Sequence, residues 1–116
     1  MSNSECVFCR IGARKLHAMV VHEDDDLIAF RDINPQAPIH VLIIPKKHYP
    51  SLYDAHREDP GILGKLNAAA LQIAEKERVA SRGFRLVFNH GDEAGQTVHH
   101  VHLHLLGGRA LRWPPG

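Results

Sequence analysis

The chain has 116 residues, 44% of them hydrophobic and 23% charged, which fits one globular domain spanning residues 1–116. A net charge of +1 excludes a basic surface built for bulk nucleic-acid binding, and the longest apolar run, around VLII, is far too short to span a membrane. The opening MSNSEC is polar and has no signal-peptide core, so a cytoplasmic protein with reduced cysteines is expected.

Residues 6 to about 13, CVFCRIGA, are expected to form a short helix with Phe8 and Ile11 on a shared side. AMVVHED and DLIAFRD read as two strands parted by acidic turn residues at Asp24 and Asp25. INPQAP, with two prolines, is a loop. IHVLIIPKK is apolar and β-branched, a buried strand ending near Pro45. Asp59-Pro60 has the form of an N-cap followed by proline at the first helical position. Leu63, Leu66, Ala70 and Ile73 then recur at helical spacing, predicting an amphipathic helix to about Val79, stopped at Gly83. FRLVFN is a strand with alternating faces, and residues 91–96 are a turn. A strand over TVHHVHLHLL follows, and the tail RALRWPPG is irregular at its prolines. One short and one long helix with about five strands make an α+β domain around an antiparallel sheet.

The last strand carries the chemistry. His100, His102 and His104 alternate with Val101, Leu103 and Leu105, so imidazoles line one face and apolar side chains the other. Same-face neighbours lie roughly 6.5–7 Å apart along a strand, which puts the outer pair about 13 Å apart. Zinc–nitrogen bonds are only about 2.0–2.1 Å, so one ion cannot hold all three rings, and a division of labour is expected. Imidazole suits phosphoryl chemistry, because a neutral ring offers a nucleophilic nitrogen near neutral pH while a neighbour binds oxygens. Donors stand nearby in sequence: Gln96 and Thr97 at the start of the strand, and Asn89 at the end of the one before.

HVHLHLL resembles the signature of the histidine triad proteins. DINPQAPIHVLIIPKKH, GQTVHHVHLHLLGGR and the terminal WPPG extend the resemblance to their Hint branch, the purine nucleoside phosphoramidases, over nearly the whole chain. The resemblance implies that family's fold, an antiparallel sheet with helices, paired as a homodimer. It implies that His102 is the nucleophile on the α-phosphorus of a nucleoside 5′-phosphoramidate, with its other ring nitrogen donating to the backbone carbonyl of His100. His104 and His40 match phosphate-contacting histidines, and His104 is the first candidate for the acid that protonates the amine. Asn89 and Thr97 match polar residues beside the phosphate, Thr97 standing where the branch usually has serine. Asp32 matches the ribose-binding acid. Phe8, Ile11, Leu16, Phe30, Ile33 and Leu42 match the apolar purine pocket, though each is also an ordinary core residue.

CVFC has zinc-ligand spacing, which by itself also fits a redox pair or two cysteines with no ligand role. Related histidine triad proteins with this pair, and the more distant galactose-1-phosphate uridylyltransferases, bind zinc. The resemblance implies Cys6, Cys9, His48 and His100 as its ligands. Four protein ligands fill a tetrahedral shell, so this zinc is expected to be structural. The other histidines, His17, His22, His56, His90 and His99, carry no assigned role and are expected at the surface or in local hydrogen bonds.

The expected function is hydrolysis of an AMP-like purine phosphoramidate. A dinucleoside polyphosphate hydrolase and a non-catalytic nucleotide-binding module are the alternatives.

Overall fold

The computed structural model describes residues 4–116. The chain runs α1 (Val7–Gly12), β1 (Val20–Glu23), β2 (Leu27–Arg31), β3 (Ile39–Pro45), α2 (Leu52–Glu58), α3 (Ile62–Lys76), β4 (Phe84–Phe88), a 3-10 turn (Asp92–Ala94) and β5 (Leu103–Gly107). All five strands pair antiparallel in the order β1-β2-β3-β5-β4. This is the α+β architecture expected from the sequence.

Alternation within β2 and β3 sorts side chains to two cores. Leu27, Ala29, Val41 and Ile43 join Leu103 and Leu105 under Leu66, Ala70 and Ile73 of α3. Ile28, Phe30, Leu42 and Ile44 face the other way, against Phe8 and Ile11 of α1. Both faces are covered, so these strands read as continuous apolar runs rather than as polar–apolar alternation. Val101 is buried with Leu103 and Leu105, as the alternation around the histidines requires.

Three expectations need correction. There are three α-helices among the described residues, where one short and one long were expected. The unexpected one, α2, is capped by Ser51, whose hydroxyl accepts from the Asp54 amide at 3.2 Å and donates to the Asp54 carboxylate at 2.7 Å. Asp59 is not an N-cap. It ends α2 with extended backbone, φ −150° and ψ 82°, because the proline that follows disfavours the helical region. Its carbonyl accepts from the Ile62 amide, and α3 starts there instead.

The third correction concerns the histidine strand, expected over residues 97–106. Regular pairing begins only at Leu103, opposite Ile43 and Phe88. Pro45, at the end of β3, has no amide to extend the ladder, and β4 ends at Phe88. The segment carrying His100 and His102 is pinned instead by the Val101 amide donating to the Tyr49 carbonyl at 2.7 Å. Side-chain bonds take over where the sheet stops.

Replacing Ser51 with alanine removes the cap of α2 and is expected to cost about 1 kcal/mol. Urea unfolding of the two proteins measures it.

Candidate functional site

The α1 face of the sheet holds two adjoining arrangements of histidines. The first sits at the start of α1, where Cys6 is the N-cap and Cys9 lies in the first turn. Cys6 Sγ is 3.4 Å from His100 Nδ1, Cys9 Sγ is 3.3 Å from His48 Nδ1 and 3.5 Å from His100 Nδ1, and the two Nδ1 atoms are 3.2 Å apart. All four atoms lie within 4.8 Å of one another. Zn–N bonds of about 2.0–2.1 Å and Zn–S bonds of about 2.3 Å give tetrahedral edges of about 3.4 Å between nitrogens and about 3.6 Å between nitrogen and sulfur. The observed spacings fit that shell. His100 Nε2 donates to the Pro45 carbonyl at 2.8 Å, which leaves Nδ1 bare, as ligation requires. Burial pushes the His100 pKa down to about 4, and burial also lowers that of His48, so both rings stay neutral.

The second arrangement borders a cavity of about 460 Å³. Phe8, Ile11, Leu16, Phe30 and Leu42 line it, and Ile33 stands fully exposed at its rim. Asp32, Thr97, His102 and His104 also border it. His102 Nδ1 donates to the His100 carbonyl at 2.8 Å, so its Nε2 carries the lone pair. His100 thus acts twice, through its ring at the cysteines and through its carbonyl at His102. Phe8 joins the two arrangements, its ring centroid 5.9 Å from that of His100 and 5.1 Å from that of His102.

A backbone amide fixes the remaining tautomers. The Gln36 N–H can only donate, and it donates to His40 Nδ1 at 3.0 Å. A neutral His40 therefore carries its proton on Nε2, which donates to His104 Nδ1 at 2.9 Å. His104 in turn carries its proton on Nε2, as a donor beside the bare Nε2 of His102. The two rings meet at 5.0 Å between centroids. The sheet brings His40 and His104 together: Leu42 pairs with His104 and His40 with Leu106, so the histidines are diagonal neighbours on one face. Asp32, His40 and His104 cluster within 4.8 Å of one another, yet they make a poor cation site. His40 Nε2 cannot bind a metal without losing the proton that the Gln36 amide keeps there.

Burial lowers the pKa of His102 and His40, and pushes that of His104 to about 4, with His102 and His40 adding to the effect there. A histidine whose folded pKa lies below its unfolded value stabilises the fold above the unfolded pKa and loses that contribution as pH falls. For His104 the window runs from 6.5 down to about 4. The thermal midpoint is expected to fall across it, and to fall less in His104→Asn, which cannot take up the proton.

Several sequence-predicted residues lie apart from the cavity. His40 stands one layer back, with both ring nitrogens bonded within the protein and its Nε2 on His104. Asn89 follows the last residue of β4, half-buried and outside the cavity lining. Gln96 uses its amide group on backbone: Nε2 donates to the carbonyls of Pro50 and Val98, and Oε1 accepts from the Gly91 amide. It fastens the turn before the histidine segment. His17, which sequence reasoning left without a role, lines the cavity, as does Arg31. No motif signals either one. His22 bonds Asp24, and His90 packs its ring against Tyr53, as local partnering predicts.

A neutral histidine with a bare nitrogen thus stands beside a second histidine donor, over an apolar cavity bordered by a carboxylate. The HIT domain family model matches residues 13–111, and the chain belongs to that family. An uncharacterised HIT-like protein of Synechocystis sp. is 50% identical over 112 residues, 97% of each chain. A HIT family hydrolase from Legionella pneumophila Philadelphia 1 is 48% identical, with a TM-score of 0.93 over 97% of this chain and 100% of that one. A zinc-bound histidine triad family protein from Mycobacterium smegmatis is 31% identical, with a TM-score of 0.77 over 90% of this chain and 76% of that one. Among the described residues no helix is long and apolar enough to cross a membrane.

Proposed function

We infer that the protein hydrolyses nucleoside 5′-monophosphoramidates, cleaving the P–N bond through a nucleotidyl group carried on His102. The observation that carries this reading is the 2.8 Å bond from His102 Nδ1 to the His100 carbonyl, which holds Nε2 bare beside the cavity. A neutral imidazole there attacks the α-phosphorus in line. The apolar walls accept the purine, and the Asp32 carboxylate, an acceptor only, takes the ribose hydroxyls. The similarity to a protein named a hydrolase supports a hydrolytic reaction.

The departing amine nitrogen is far more basic than a deprotonated imidazole. A neutral His104 can therefore give it the Nε2 proton as the P–N bond breaks, and need not first become a cation. The charge left on His104 is dispersed by the His40 Nε2–H bond at its Nδ1. Water then attacks the nucleotidyl-His102, its proton returns to His104 Nε2, and free His102 and a nucleoside monophosphate result. The Thr97 hydroxyl, exposed at the cavity edge, is a further donor on the leaving-group side.

The cysteine pair with His48 and His100 is read as a structural zinc site. Zinc there, when bound, supplies no Lewis-acid chemistry to the reaction, because four protein ligands close its shell. Those residues tie α1 to the segment before β5, and so hold Phe8 and the His100 carbonyl against His102. A cytoplasmic homodimer completes the reading. β4 forms one edge of the sheet with its outer side unpaired among the described residues, and light scattering tests the assembly.

Offering adenosine 5′-monophosphoramidate and a diadenosine polyphosphate in parallel tests the substrate class. Turnover of the phosphoramidate at a kcat/KM at least about 100-fold higher is expected, a transition-state difference of about 2.7 kcal/mol. Faster turnover of the dinucleotide points to a polyphosphate hydrolase. Binding of AMP without turnover of either leaves a nucleotide-binding module.

A further inference from the structure

We propose that Arg109 is a positioning residue for the reaction: by clamping the Gln36 carbonyl it keeps the Gln36 amide on His40 and so sets which nitrogen of His104 carries the proton. The inference rests on the phosphoramidase reading for its kinetic consequence, though not for its structural one.

The clamp is built from the GGR that follows the histidines. Gly107 lies against Val79, where a Cβ would come within 3.1 Å of the valine side chain. Gly108 has φ +89°, and a Cβ there would sit 3.0 Å from Pro38 Cβ. Gly108 lets the chain leave β5 flush against the loop between β2 and β3, and Arg109 follows directly. Its Nε and Nη2 both donate to the Gln36 carbonyl, at 3.1 and 2.8 Å, while Nη1 donates to the Ala110 carbonyl at 3.0 Å. Two donors from a planar group hold the carbonyl oxygen of the Gln36–Ala37 peptide, one Cα away from the Gln36 N–H that meets His40.

The rest of that loop is held from within. The Asn34 amide donates to Asp32 Oδ1 at 2.8 Å, Gln36 Nε2 donates to the Asn34 carbonyl at 3.1 Å, and the Asp32 amide donates to the His40 carbonyl at 3.0 Å. Arg109 is the bond to Gln36 that comes from a different part of the chain. The relay then runs through atoms whose roles are forced. The Gln36 N–H donates to His40 Nδ1, His40 Nε2–H donates to His104 Nδ1, and the proton of His104 sits on Nε2. With the clamp released, the amide drifts from His40, and only the Asp32 carboxylate, 3.4 Å from His40 Nε2, still favours the proton on that nitrogen. His104 then loses its single tautomer, and part of the population presents a bare Nε2 that cannot protonate an amine.

Nitrogen NMR of histidine-labelled protein at neutral pH reads this directly, since protonated and bare ring nitrogens have distinct shifts. In the native protein His104 is expected as the Nε2–H tautomer. In Arg109→Met the ring is expected to become a mixture, with Arg109→Lys in between. Gln36→Pro deletes the amide itself and should give the same mixture with Arg109 intact, which separates loss of the relay from any loss of folding around Arg109. In kinetics, kcat of Arg109→Met should fall about 10-fold or more for an alkylamine phosphoramidate, within the range for losing a positioned acid. KM should stay within about twofold, as should kcat for a nitrophenyl ester of the same nucleotide, whose leaving group needs no proton. An unchanged His104 tautomer in both variants overturns the proposal whatever the substrate proves to be. Equal loss of kcat on the two leaving groups overturns it as well. A shifted tautomer in a protein without phosphoramidase activity would refute the functional reading and leave the clamp standing.

Discussion

His102→Ala should lower kcat for adenosine 5′-monophosphoramidate by at least about 10⁴-fold, as removal of a nucleophile does in other covalent hydrolases. The expectation follows from what His102 alone supplies. Its ring is buried, with 8% of its surface exposed, and its Nδ1 proton is committed to the His100 carbonyl. Neither of the other two histidines of the triad offers a bare nitrogen to the cavity. His104 presents a proton there, and the free nitrogen of His100 faces the cysteines. AMP affinity should change by less than about tenfold, because the apolar walls and Asp32 remain and only one ring contact is removed. Stopped assays with wild type and variant at equal, saturating substrate measure the first quantity, and calorimetric titration with AMP measures the second.

Cys9→Ala carries the second large effect. Zinc should fall from about one ion per chain to well below that, since loss of one thiolate opens a closed four-ligand shell. Cys9 is buried, and its sulfur meets both His48 and His100. Without the metal, His48 can carry its proton on Nδ1 and donate to the bare His100 Nδ1 at 3.2 Å. What is lost is the tie that four ligands make between α1 and the segment before β5. The expected cost is about 2–4 kcal/mol, or roughly 10 °C in the thermal midpoint for a chain of this size. Activity should fall less than in His102→Ala, because the loss reaches the reaction only through Phe8 and the His100 carbonyl. Metal analysis of protein purified without added zinc or chelator, with thermal melts of both proteins, reads this out. Native protein with zinc well below one equivalent per chain would refute the site.

Much of this was legible in the sequence because its signals were local and periodic. Alternation about His102 sorts imidazoles to one face and apolar side chains to the other, and the β-branched run at residues 39–45 marks the central strand. What escaped depended on contacts between distant segments. The helix at Leu52–Glu58 has weak periodicity and only Ala55 buried, so its cap at Ser51 is the one local sign of it, and Asp59-Pro60 has the stronger form of a helix start. The shortened histidine strand could not be foreseen, because its length depends on where its partners end, at Pro45 and Phe88. The same holds within the site. His40 stood out by its resemblance to a phosphate ligand, yet its place behind His104 follows from the register of β3 on β5. Gln96 was notable as a donor near the triad, and three backbone partners occupy it. Arg109 had no chemical signal of its own, since an arginine after two glycines at the end of a strand is unremarkable until the loop it meets is known.

The central claim is that a neutral His102 bonds transiently to phosphorus. The stereochemical course of hydrolysis of a nucleoside phosphoramidate made chiral at phosphorus tests it most directly. Two successive in-line displacements, by His102 and then by water, predict retention of configuration. Inversion would mean that water attacks the substrate directly, and would contradict the account.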